Sequence, residues 1–266
     1  MNKLKLYCTT NKPVNFLENT NINLAWVGLD KKPQNYIGCD NEDNIFYKEK
    51  YYSELTFQYW YWKNLFNIND NSWIGFCQKR RFWIKENTNI NKIDKNNIKE
   101  HLLLVPLKEW KNYDSIICKP IVVSEVKTMK LIKRGWKNLI KDPSILFNNK
   151  KKNIALHFDM HHGYGNLDLA INELKNEDKE DFYNFVYNEN SFNPHIMFIA
   201  RPKILDKWFT VLFEWLFKCE KKIGLEKLKG YDTTRLYAYL AERYLSFWFK
   251  KYTNYKEHSW LQLDNF

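Results

Sequence analysis

Hydrophobic and polar residues recur with two different periods along this chain, and the two periods predict strands and helices in alternation. Short β-rich apolar runs predict strands over residues 3–9, 23–27, 73–77, 102–107, 115–123 and 196–200. Apolar residues spaced three and four apart predict helices over residues 50–64, 127–140, 167–174, 179–187, 203–223 and 233–251. Residues 87–100 have no strong period and are expected to form a polar surface loop. No internal repeat or Gly/Ser linker interrupts the series, which therefore predicts one α/β domain with a helical C-terminal third.

Composition narrows the class of protein without choosing a ligand. A hydrophobic content of 44% and an aromatic content of 17% in 266 residues exclude a disordered chain and allow one substantial domain. The net charge of +11 favours anionic partners, such as a nucleotide-sugar, a lipid diphosphate, an anionic membrane or a nucleic acid. The basic residues are dispersed and no nucleic-acid-binding motif accompanies them, so we expect no nucleic-acid partner. A basic nucleic-acid-binding protein is kept as a competing class.

The cysteines and the apolar runs predict a cytoplasmic protein. The five cysteines are scattered and form no Cys-x-x-Cys pair, so neither a disulfide framework nor a zinc site is indicated. The N-terminus lacks the apolar core of a signal peptide, and no stretch reaches the ~18 apolar residues of a spanning helix. The last helix mixes aromatic residues with lysines. Core packing accounts for most of these aromatics, and a peripheral contact with the inner membrane is a secondary hypothesis.

Residues 40–83 group side chains that suit an activated sugar. Arg80 and Arg81 follow the strand predicted over residues 73–77, where an open α/β sheet meets its ligand, and paired guanidiniums suit a diphosphate. The alternative for this pair is a surface role on a basic protein. Glu54 lies early in the aromatic helix of residues 50–64, as a ligand contact or as a charge favoured by the helix dipole. An acidic and amide loop precedes that helix, and its members either cap the helix entry or orient ribose and sugar hydroxyls: Asp40, Asn41, Glu42, Asp43 and Asn44.

The densest group of carboxylates and imidazoles lies in residues 157–168. Asp159, His161, His162 and Asp168 form either a structural loop, a metal site or a sugar site, and the lack of a third well-spaced ligand group argues against zinc. Glycosyl transfer needs a base that deprotonates the acceptor hydroxyl. Asp159 and Glu242 are the carboxylate candidates, although a Glu-Arg pair within a helix is equally typical of a structural ion pair. His195, beside the strand of residues 196–200, is either a buried core histidine or a donor to a sugar hydroxyl.

Five motifs occur in the order in which one known family carries them. They are residues 5–13 (a strand and a Thr-x-Lys-Pro-like loop), 40–83, 157–168 (His-Gly-x-Gly-Asn-Leu-Asp), 194–199 (Pro-His-x-Met-Phe-Ile) and 240–243 (Glu-Arg at the end). On these motifs the chain resembles the bacterial capsular and exopolysaccharide sugar transferases built on domain of unknown function 4422. It departs from their pattern at Glu42, where the family prefers Gly, at Gln78 and Lys79, which replace His-Tyr, and at Ile196, which replaces Asn.

The resemblance implies a fold and a reaction. The fold would be a single GT-A-like nucleotide-sugar transferase domain over residues 1–266, with a Rossmann-like central sheet flanked by helices. Residues 1–125 would form the nucleotide-sugar-binding half, and the mostly helical residues 126–266 the acceptor and catalytic half. The reaction would move a sugar from a nucleotide-sugar, expected to be a UDP-sugar, to a growing capsular, exopolysaccharide or lipopolysaccharide glycan. A family member that has lost its activity is an alternative, because of the departures at Gln78, Lys79 and Ile196.

The residue patterns and the resemblance together suggest roles for individual residues. The catalytic candidates are Asp159, Glu242 and His162, and the acceptor or sugar contacts are His161, Asp168 and His195. The nucleotide-sugar contacts are Thr9, Asn11, Lys12, Asp40, Asn41, Asp43, Asn44, Glu54, Lys79, Arg80 and Arg81.

Metal use is the remaining question at the sequence level. Many transferases of this fold hold a divalent metal with an Asp-x-Asp motif, and this chain has none. Either Asp40, Glu42 or Asp43 holds Mg²⁺ or Mn²⁺ in another spacing, or Lys79 and the arginines take the metal's place. We favour the second alternative and assign no metal ligand.

Overall fold

The computed structural model describes residues 3–263. Its strands are β1 (Leu4–Thr10), β2 (Ile22–Trp26), β3 (Trp73–Gln78), β4 (Arg81–Trp83), β5 (Ser115–Cys118), β6 (Ile121–Val122), β7 (Ser191–Phe192), β8 (Phe198–Ala200), β9 (Tyr255–His258) and β10 (Trp260–Gln262). Its α-helices are α1 (Glu49–Tyr52), α2 (Leu55–Trp60), α3 (Ile98–His101), α4 (Thr128–Arg134), α5 (Trp136–Lys141), α6 (Ile154–His162), α7 (Asn166–Asn172), α8 (Asn176–Asn188), α9 (Pro202–Ile223), α10 (Tyr231–Thr234) and α11 (Leu236–Tyr252). A π-helix, Tyr61–Leu65, continues α2, and short 3₁₀ turns join other elements.

The chain forms two compact units. Unit 1 comprises the described parts of Met1–Lys119, His195–Thr210 and Trp248–Phe266, and unit 2 comprises Pro120–Pro194 and Val211–Phe247. The residues of α9 and α11 are therefore divided between the units. The prediction of one domain with halves that meet near residue 125 stays a prediction, and its first two and last three residues lie outside the described range.

Unit 1 is built on a mixed sheet of eight strands. Its central part is parallel, with β1 between β2 and β3, and Leu6 of β1 lies opposite Ile22 on one side and Gly75 on the other. β8 runs antiparallel to both β3 and β5, and β10 pairs with β4. Parallel strands with both faces covered are nearly continuously apolar, and six of the seven residues of β1 are buried. The C-terminal strands thus complete a sheet that the N-terminal strands begin.

Close packing at the centre of this sheet depends on one glycine. A Cβ atom at Gly75 would lie 2.7 Å from side-chain carbons of both Ile199 and Leu6. These neighbours belong to a core that also includes the fully buried Trp73 and Trp110. A larger residue at position 75 would push β8 and β1 away from β3, so glycine is required by approach rather than by backbone conformation.

Unit 2 is mostly helical and has its own core. Phe182 of α8 packs edge-on against Tyr244 with ring centroids 5.3 Å apart, and the Tyr244 hydroxyl donates a 2.6 Å hydrogen bond to the buried carboxylate of Asp178. The indole of Trp215 donates to the carbonyl of Ala170 at 2.8 Å. The short strands β6 and β7 pair as a separate two-stranded sheet. No helix within residues 3–263 has both the length and the apolar character needed to span a bilayer.

Several elements differ from the pattern-based prediction for identifiable reasons. The helix predicted over residues 50–64 is broken at Ser53, whose φ of 51° is left-handed. The helix predicted over 127–140 is divided at Gly135, and the strand predicted over 115–123 is divided ahead of Pro120. Residues 102–107 form only an isolated bridge between Leu102 and Ile84, because the segment continues into Pro106 and has no further partner strand. The strands β4, β7, β9 and β10 and the helices α3 and α6 were not predicted, and α3 begins within the predicted loop of residues 87–100.

Candidate functional site

The order of the parallel strands creates a crevice beside β1. The chain passes from β2 on one side of β1 to β3 on the other, so the strand order reverses between β1 and β3. In open α/β sheets, ligands bind outside the carboxyl ends of the strands at such a point. We call this end of the sheet the carboxyl edge, and the residues that follow β1 and β3 there are among those predicted from the sequence.

The loop after β1 is fastened to the loop after β3. The Lys79 backbone N–H donates to the Thr9 carbonyl at 3.1 Å, and the Lys79 ammonium donates to Oδ1 of Asn11. The Thr10 hydroxyl and Lys12 backbone bond each other, which fixes a tight turn and leaves the Lys12 side chain exposed. Among the described residues, the buried hydroxyl of Thr9 has no hydrogen-bond partner. A buried, unsatisfied polar atom is uncommon, so this hydroxyl lacks a partner that a buried water or a ligand would supply.

The two predicted arginines are held in different ways at the turn between β3 and β4. Arg81 Nη1 donates to Oε1 of Gln78 at 2.7 Å. Gln78 and Arg81 are also the residues through which β3 pairs with β4. The Nε–H of Arg81 is buried and lacks an acceptor among residues 3–263. Arg80 and Leu263 exchange backbone and side-chain hydrogen bonds, so the segment after β10 fixes the turn. Gln78 and Lys79, at which the chain departs from the family pattern, thus bond Arg81 and Asn11 respectively.

The acidic loop lies at the same edge but is largely bonded to itself. Residue 37 pairs with β2, and Asp40 follows it, exposed, at the carboxyl end of that strand. Asn41 accepts from the Trp60 indole at 3.0 Å, and Asp43 accepts from the Tyr59 hydroxyl at 3.1 Å. Asn44 accepts from the backbone N–H of residue 46 at 3.0 Å and so shapes the entry to the aromatic helix. Three of the predicted nucleotide-sugar contacts in this loop therefore make structural hydrogen bonds, and the fourth, Asp40, is an exposed carboxylate.

Two further predicted residues have distinctive backbone positions. Glu42 has a φ of 52°, in the region where glycine is preferred, which agrees with the Gly expected there from the family pattern. Glu54 precedes α2, is half-buried, and makes no capping hydrogen bond with its side chain. It therefore does not serve as the helix cap.

His195 lies at the carboxyl edge in a strained conformation. Its φ is 66°, and its ring contacts Trp260 edge-on at a centroid distance of 4.5 Å. β8 runs antiparallel to β3, with Gly75 opposite Ile199, so the segment that precedes β8 lies towards the carboxyl end of β3. The residue after His195 is held by Gln58, whose side-chain amide donates to the residue 196 carbonyl at 3.0 Å. Strain of this kind in a non-glycine residue is most often found at functional sites.

In unit 2, Asp159 organises the glycine loop that follows α6. Its Oδ1 accepts from the Gly165 backbone N–H at 3.0 Å, and its Oδ2 accepts from the Asn138 amide at 2.8 Å. Gly163 and Gly165 both have positive φ, 99° and 82°, so the loop needs glycine at these positions. Burial raises the pKa of the Asp159 carboxyl above its usual value, against the effect of the two hydrogen bonds. Asp159 is thus a positioned carboxylate with an increased proton affinity.

Three imidazoles of α6 form a second group, which we call the histidine cluster: His157, His161 and His162. The rings of His157 and His161 are 4.7 Å apart, and His162 stacks on Tyr239 at 3.7 Å. Burial, together with nearby cations, lowers the pKa of His161 to about 4 and those of His157 and His162 to about 2. All three imidazoles are therefore neutral at pH 7.

Cationic and carbonyl groups orient these neutral rings. Arg134 Nη1 lies 2.9 Å from His161 Nδ1 and 3.0 Å from the Asp232 carboxylate. Because arginine is always a donor, His161 Nδ1 is the acceptor, and its proton is on Nε2. His162 Nδ1 lies 3.0 Å from the Asp232 carbonyl and must donate to it, so its proton is on Nδ1. The neighbouring imidazoles are fixed in opposite tautomers.

Glu242 is paired with its neighbour in the sequence. Its carboxylate accepts a hydrogen bond from Arg243, whose side chain is only 2% exposed. The Arg243 guanidinium lies 3.9 Å from the centre of the Phe192 ring and 3.3 Å from His157 Nδ1. Asp168, by contrast, is exposed and accepts from the Tyr187 hydroxyl at 2.7 Å. Of the predicted catalytic residues, Glu242 thus has the geometry of a structural ion pair.

The structure brings the predicted residues together in two sets. Unit 1 gathers Thr9, Asn11, Lys12, Asp40, Lys79, Arg80, Arg81 and His195 at the carboxyl edge. Unit 2 contains Asp159, His161, His162, Asp168 and Glu242. Sequence reasoning missed the residues that orient them: Gln58, Gln78, Arg134, Asn138, His157, Asp232 and Arg243. His157 and Arg243 lie inside recognised motifs, and their position there was the available signal. Gln58 and Gln78 also lie inside a recognised motif, residues 40–83. Arg134, Asn138 and Asp232 are distant in sequence from the residues that they contact.

Among the described residues, neither a group of metal ligands nor the large groove of unit 1 adds to the two sets of predicted site residues. Within residues 3–263, no three His, Cys, Asp or Glu side chains converge as metal ligands. The residues of the carboxyl edge therefore do not provide a protein-only metal cage, and metal independence stays a prediction. A groove of about 1290 Å³ is lined by Lys3, Trp73, Val105, Lys108 and Arg201 among others, at the opposite end of the strands. It contains none of the predicted site residues.

Comparison with known proteins identifies the family. A solved structure described as the WbbM bifunctional glycosyltransferase in its apo form superposes with a TM-score of 0.74 at 20% sequence identity, over 99% of this chain and 46% of that one. This likeness confirms the predicted α/β fold of GT-A type. No curated protein matches the chain. The model of the family described as Domain of unknown function (DUF4422) matches residues 5–254, which confirms the resemblance. The chain therefore belongs to the DUF4422 family.

Proposed function

We propose that this protein is a glycosyltransferase that takes a sugar from a nucleotide-sugar and adds it to a growing glycan. The proposed donor is a UDP-sugar, and the proposed product is a capsular, exopolysaccharide or lipopolysaccharide chain. The observation that carries the proposal is the cationic carboxyl edge, where Lys12, Lys79, Arg80 and Arg81 lie on the two loops beside the switch point of the sheet. The shared fold with a glycosyltransferase supports the same reaction class.

The residues of the carboxyl edge suit the charge that develops during sugar transfer. When the bond between the sugar and the diphosphate breaks, its electron pair goes to the diphosphate oxygen. Cations that are already in place stabilise this charge without reorganisation. Lys79 is positioned by Asn11 and Arg81 by Gln78, so both side chains are ordered before the donor binds. The buried Thr9 hydroxyl and the Arg81 Nε–H would donate to the nucleotide.

The acceptor side of the reaction needs a base, and Asp159 is the better of the two carboxylate candidates. As the acceptor oxygen forms its new bond to the sugar, its proton passes to the base. Both carboxylate oxygens of Asp159 accept hydrogen bonds from neutral donors, which orient the side chain. Burial raises the pKa of Asp159, so it holds a proton more readily than an exposed carboxylate does. Glu242 is neutralised by the buried Arg243. We therefore assign the base role to Asp159 and a structural role to Glu242.

Thermal unfolding with nucleoside diphosphates tests the proposal. A ligand present at about 100 times its dissociation constant stabilises the folded state by about 2.7 kcal/mol. For a domain of this size each kcal/mol raises the melting temperature by about 2–4 °C. We expect a selective shift with one nucleoside diphosphate, retained in EDTA and lost in Lys79→Ala, with the exposed Lys92→Ala as the matched control. A chain that no nucleoside diphosphate or nucleotide-sugar stabilises would contradict the proposal.

A further inference from the structure

Helices α4 and α5 expose a line of large apolar side chains. Met129 is 78% exposed, Ile132 48%, Trp136 52% and Ile140 71%. Their spacing of three, four and four residues places all of them on one helical face. Single exposed apolar residues are ordinary, but a contiguous row that includes a tryptophan marks an interaction surface. We call these residues the apolar stripe.

The apolar stripe is not a face left over from the core. The opposite side of α4 presents Leu131, which is fully buried with Ile145, Leu156 and Met160. The two helices continue each other through Gly135, whose N–H donates to the Leu131 carbonyl at 2.7 Å and whose carbonyl accepts from residue 139 at 3.0 Å. The pair is thus an amphipathic element whose inner side is already packed and whose outer side carries the stripe.

The charges around the stripe are of one sign. Residues 126–141 contain no Asp or Glu, and they contain six cations: Lys127, Lys130, Lys133, Arg134, Lys137 and Lys141. Arg134 is engaged by Asp232 and His161, and the ammonium groups of Lys137 and Lys141 lie about 5 Å from the Tyr164 ring centre. Lys127, Lys130 and Lys133 are exposed. Helical spacing places Lys130, Lys133 and Lys137 along one border of the stripe.

We propose that α4 and α5 dock this protein on an anionic phospholipid bilayer. The apolar stripe would lie at the boundary between headgroups and acyl chains, with Trp136 at the depth that tryptophan prefers, and the bordering lysines would bind the lipid phosphates. Phe147, shortly after α5, is a further large apolar side chain that is 89% exposed. A second copy of the chain is a poorer occupant, because a symmetric contact would place two sets of six cations against each other.

Sedimentation with lipid vesicles tests this surface. We expect the protein to pellet with vesicles of phosphatidylcholine and phosphatidylglycerol in equal parts, and not with phosphatidylcholine alone. Ile132→Ser/Trp136→Ser/Ile140→Ser should reduce binding at least about tenfold, because the apolar area that the bilayer would bury is lost. Lys130→Gln/Lys133→Gln should reduce it about fivefold for each lysine. The controls are Ile68→Ser/Ile90→Ser and Lys221→Gln/Lys222→Gln, which change exposed residues outside the surface and should bind as the wild type does.

A second measurement reports the orientation at the membrane. Phospholipids brominated on the acyl chain quench tryptophan at that depth, and the quenching should fall in Trp136→Phe, which keeps an apolar ring and should still bind. Binding that is unchanged in the stripe variant, or no binding to anionic vesicles, would overturn the proposal. A dimer in light scattering that the stripe variant dissociates, without vesicle binding, would instead assign the stripe to a second copy. The proposal stands on this surface alone and is independent of the sugar-transfer reaction.

Discussion

The carboxyl edge of unit 1 and the histidine cluster of unit 2 are both rich in ionisable side chains, but they treat charge in opposite ways. At the carboxyl edge, Lys79 and Arg81 are partly exposed cations that are held by the neutral amides of Asn11 and Gln78. In the histidine cluster, His162 is buried and His157 and His161 are partly buried. All three imidazoles lie near Arg134 or Arg243 and are kept neutral. The carboxyl edge therefore presents positive charge to a ligand. The histidine cluster instead keeps its imidazoles, which are easily protonated, in the neutral form.

This difference separates two roles that look alike in the sequence. Neutral amide partners leave the charge of a cation intact, so the carboxyl edge is suited to a nucleoside diphosphate. Imidazoles in fixed, opposite tautomers present one donor and one acceptor at known positions, which suits the orientation of a sugar hydroxyl or of the loop that Asp159 holds. The histidine cluster is therefore expected to act by positioning, and the carboxyl edge by electrostatic stabilisation.

The largest effect should come from removing the buried cation of unit 2. Arg243→Ala removes a buried partner of Glu242 and His157 and is expected to cost about 3–5 kcal/mol of unfolding free energy. Denaturant titration of the purified proteins measures this cost. The control is Lys218→Ala, which removes an exposed pair with Glu214 and should cost about 0.3–0.5 kcal/mol. Equal costs for the two variants would mean that Arg243 is not integral to the core.

At the carboxyl edge, the expected effect is on turnover rather than on stability. Lys79→Ala should lower kcat by about 10²–10³-fold, the usual result of removing one preorganised charged donor, while the melting temperature stays close to that of the wild type. Release of nucleoside diphosphate from the nucleotide-sugar that stabilises the protein is the assay. Asn11→Ala, which keeps the ammonium but removes its acceptor, should have a smaller effect. A Lys79→Ala enzyme with full turnover would remove the carboxyl edge from the mechanism.

The histidine cluster should make folding sensitive to acid. The folded pKa values of His157 and His162, about 2, lie below the unfolded value of about 6.5, so the unfolded state binds more protons below pH 6.5. The contribution of these histidines to the free energy of unfolding is therefore fully present above pH 6.5. It is lost as the pH decreases, by up to about 1.4 kcal/mol per pH unit for each histidine. The raised pKa of Asp159 acts in the opposite direction at lower pH.

Histidine variants distinguish this effect from general acid denaturation. His157→Asn and His162→Asn should each reduce the slope of stability against pH between pH 6 and 5, measured by denaturant titration, by about one proton. His101→Asn, outside the cluster, is the control. Slopes that match the wild type in both cluster variants would show that these imidazoles are not kept neutral.

The smallest expected effect concerns the acidic loop at the carboxyl edge. Glu42→Gly relieves a left-handed backbone conformation in an exposed residue and should raise stability by about 0.5 kcal/mol, because the relief slightly exceeds the entropy cost of glycine. Asn19→Gly is the matched control: Asn19 has a φ of 64°, and asparagine tolerates this region. A destabilised Glu42→Gly protein would indicate that the Glu42 side chain contributes a contact of its own.

The carboxyl edge could be predicted from the sequence because its residues follow strands with a clear apolar run, β1 and β3. The outer strands β9 and β10 could not, because long-range pairing with β5 and β4 determines them. The same limit applies to the orienting contacts. Asn138 lies 21 positions from Asp159 in sequence, and Arg134 lies 98 positions from Asp232. No local pattern encodes such distant partners. The sequence therefore predicts the carboxylates and imidazoles without the residues that orient them and influence their pKa values.

Hydrogen–deuterium exchange with and without the stabilising nucleoside diphosphate tests the central claim most directly, because it locates the bound nucleotide on the chain. We expect slower exchange in peptides that cover residues 9–12 and 78–81, with little change in peptides that cover residues 154–168. The Lys79→Ala protein should lose this protection at the same nucleotide concentration. Protection confined to residues 154–168, with no change at the carboxyl edge, would contradict the assignment of nucleotide binding to unit 1.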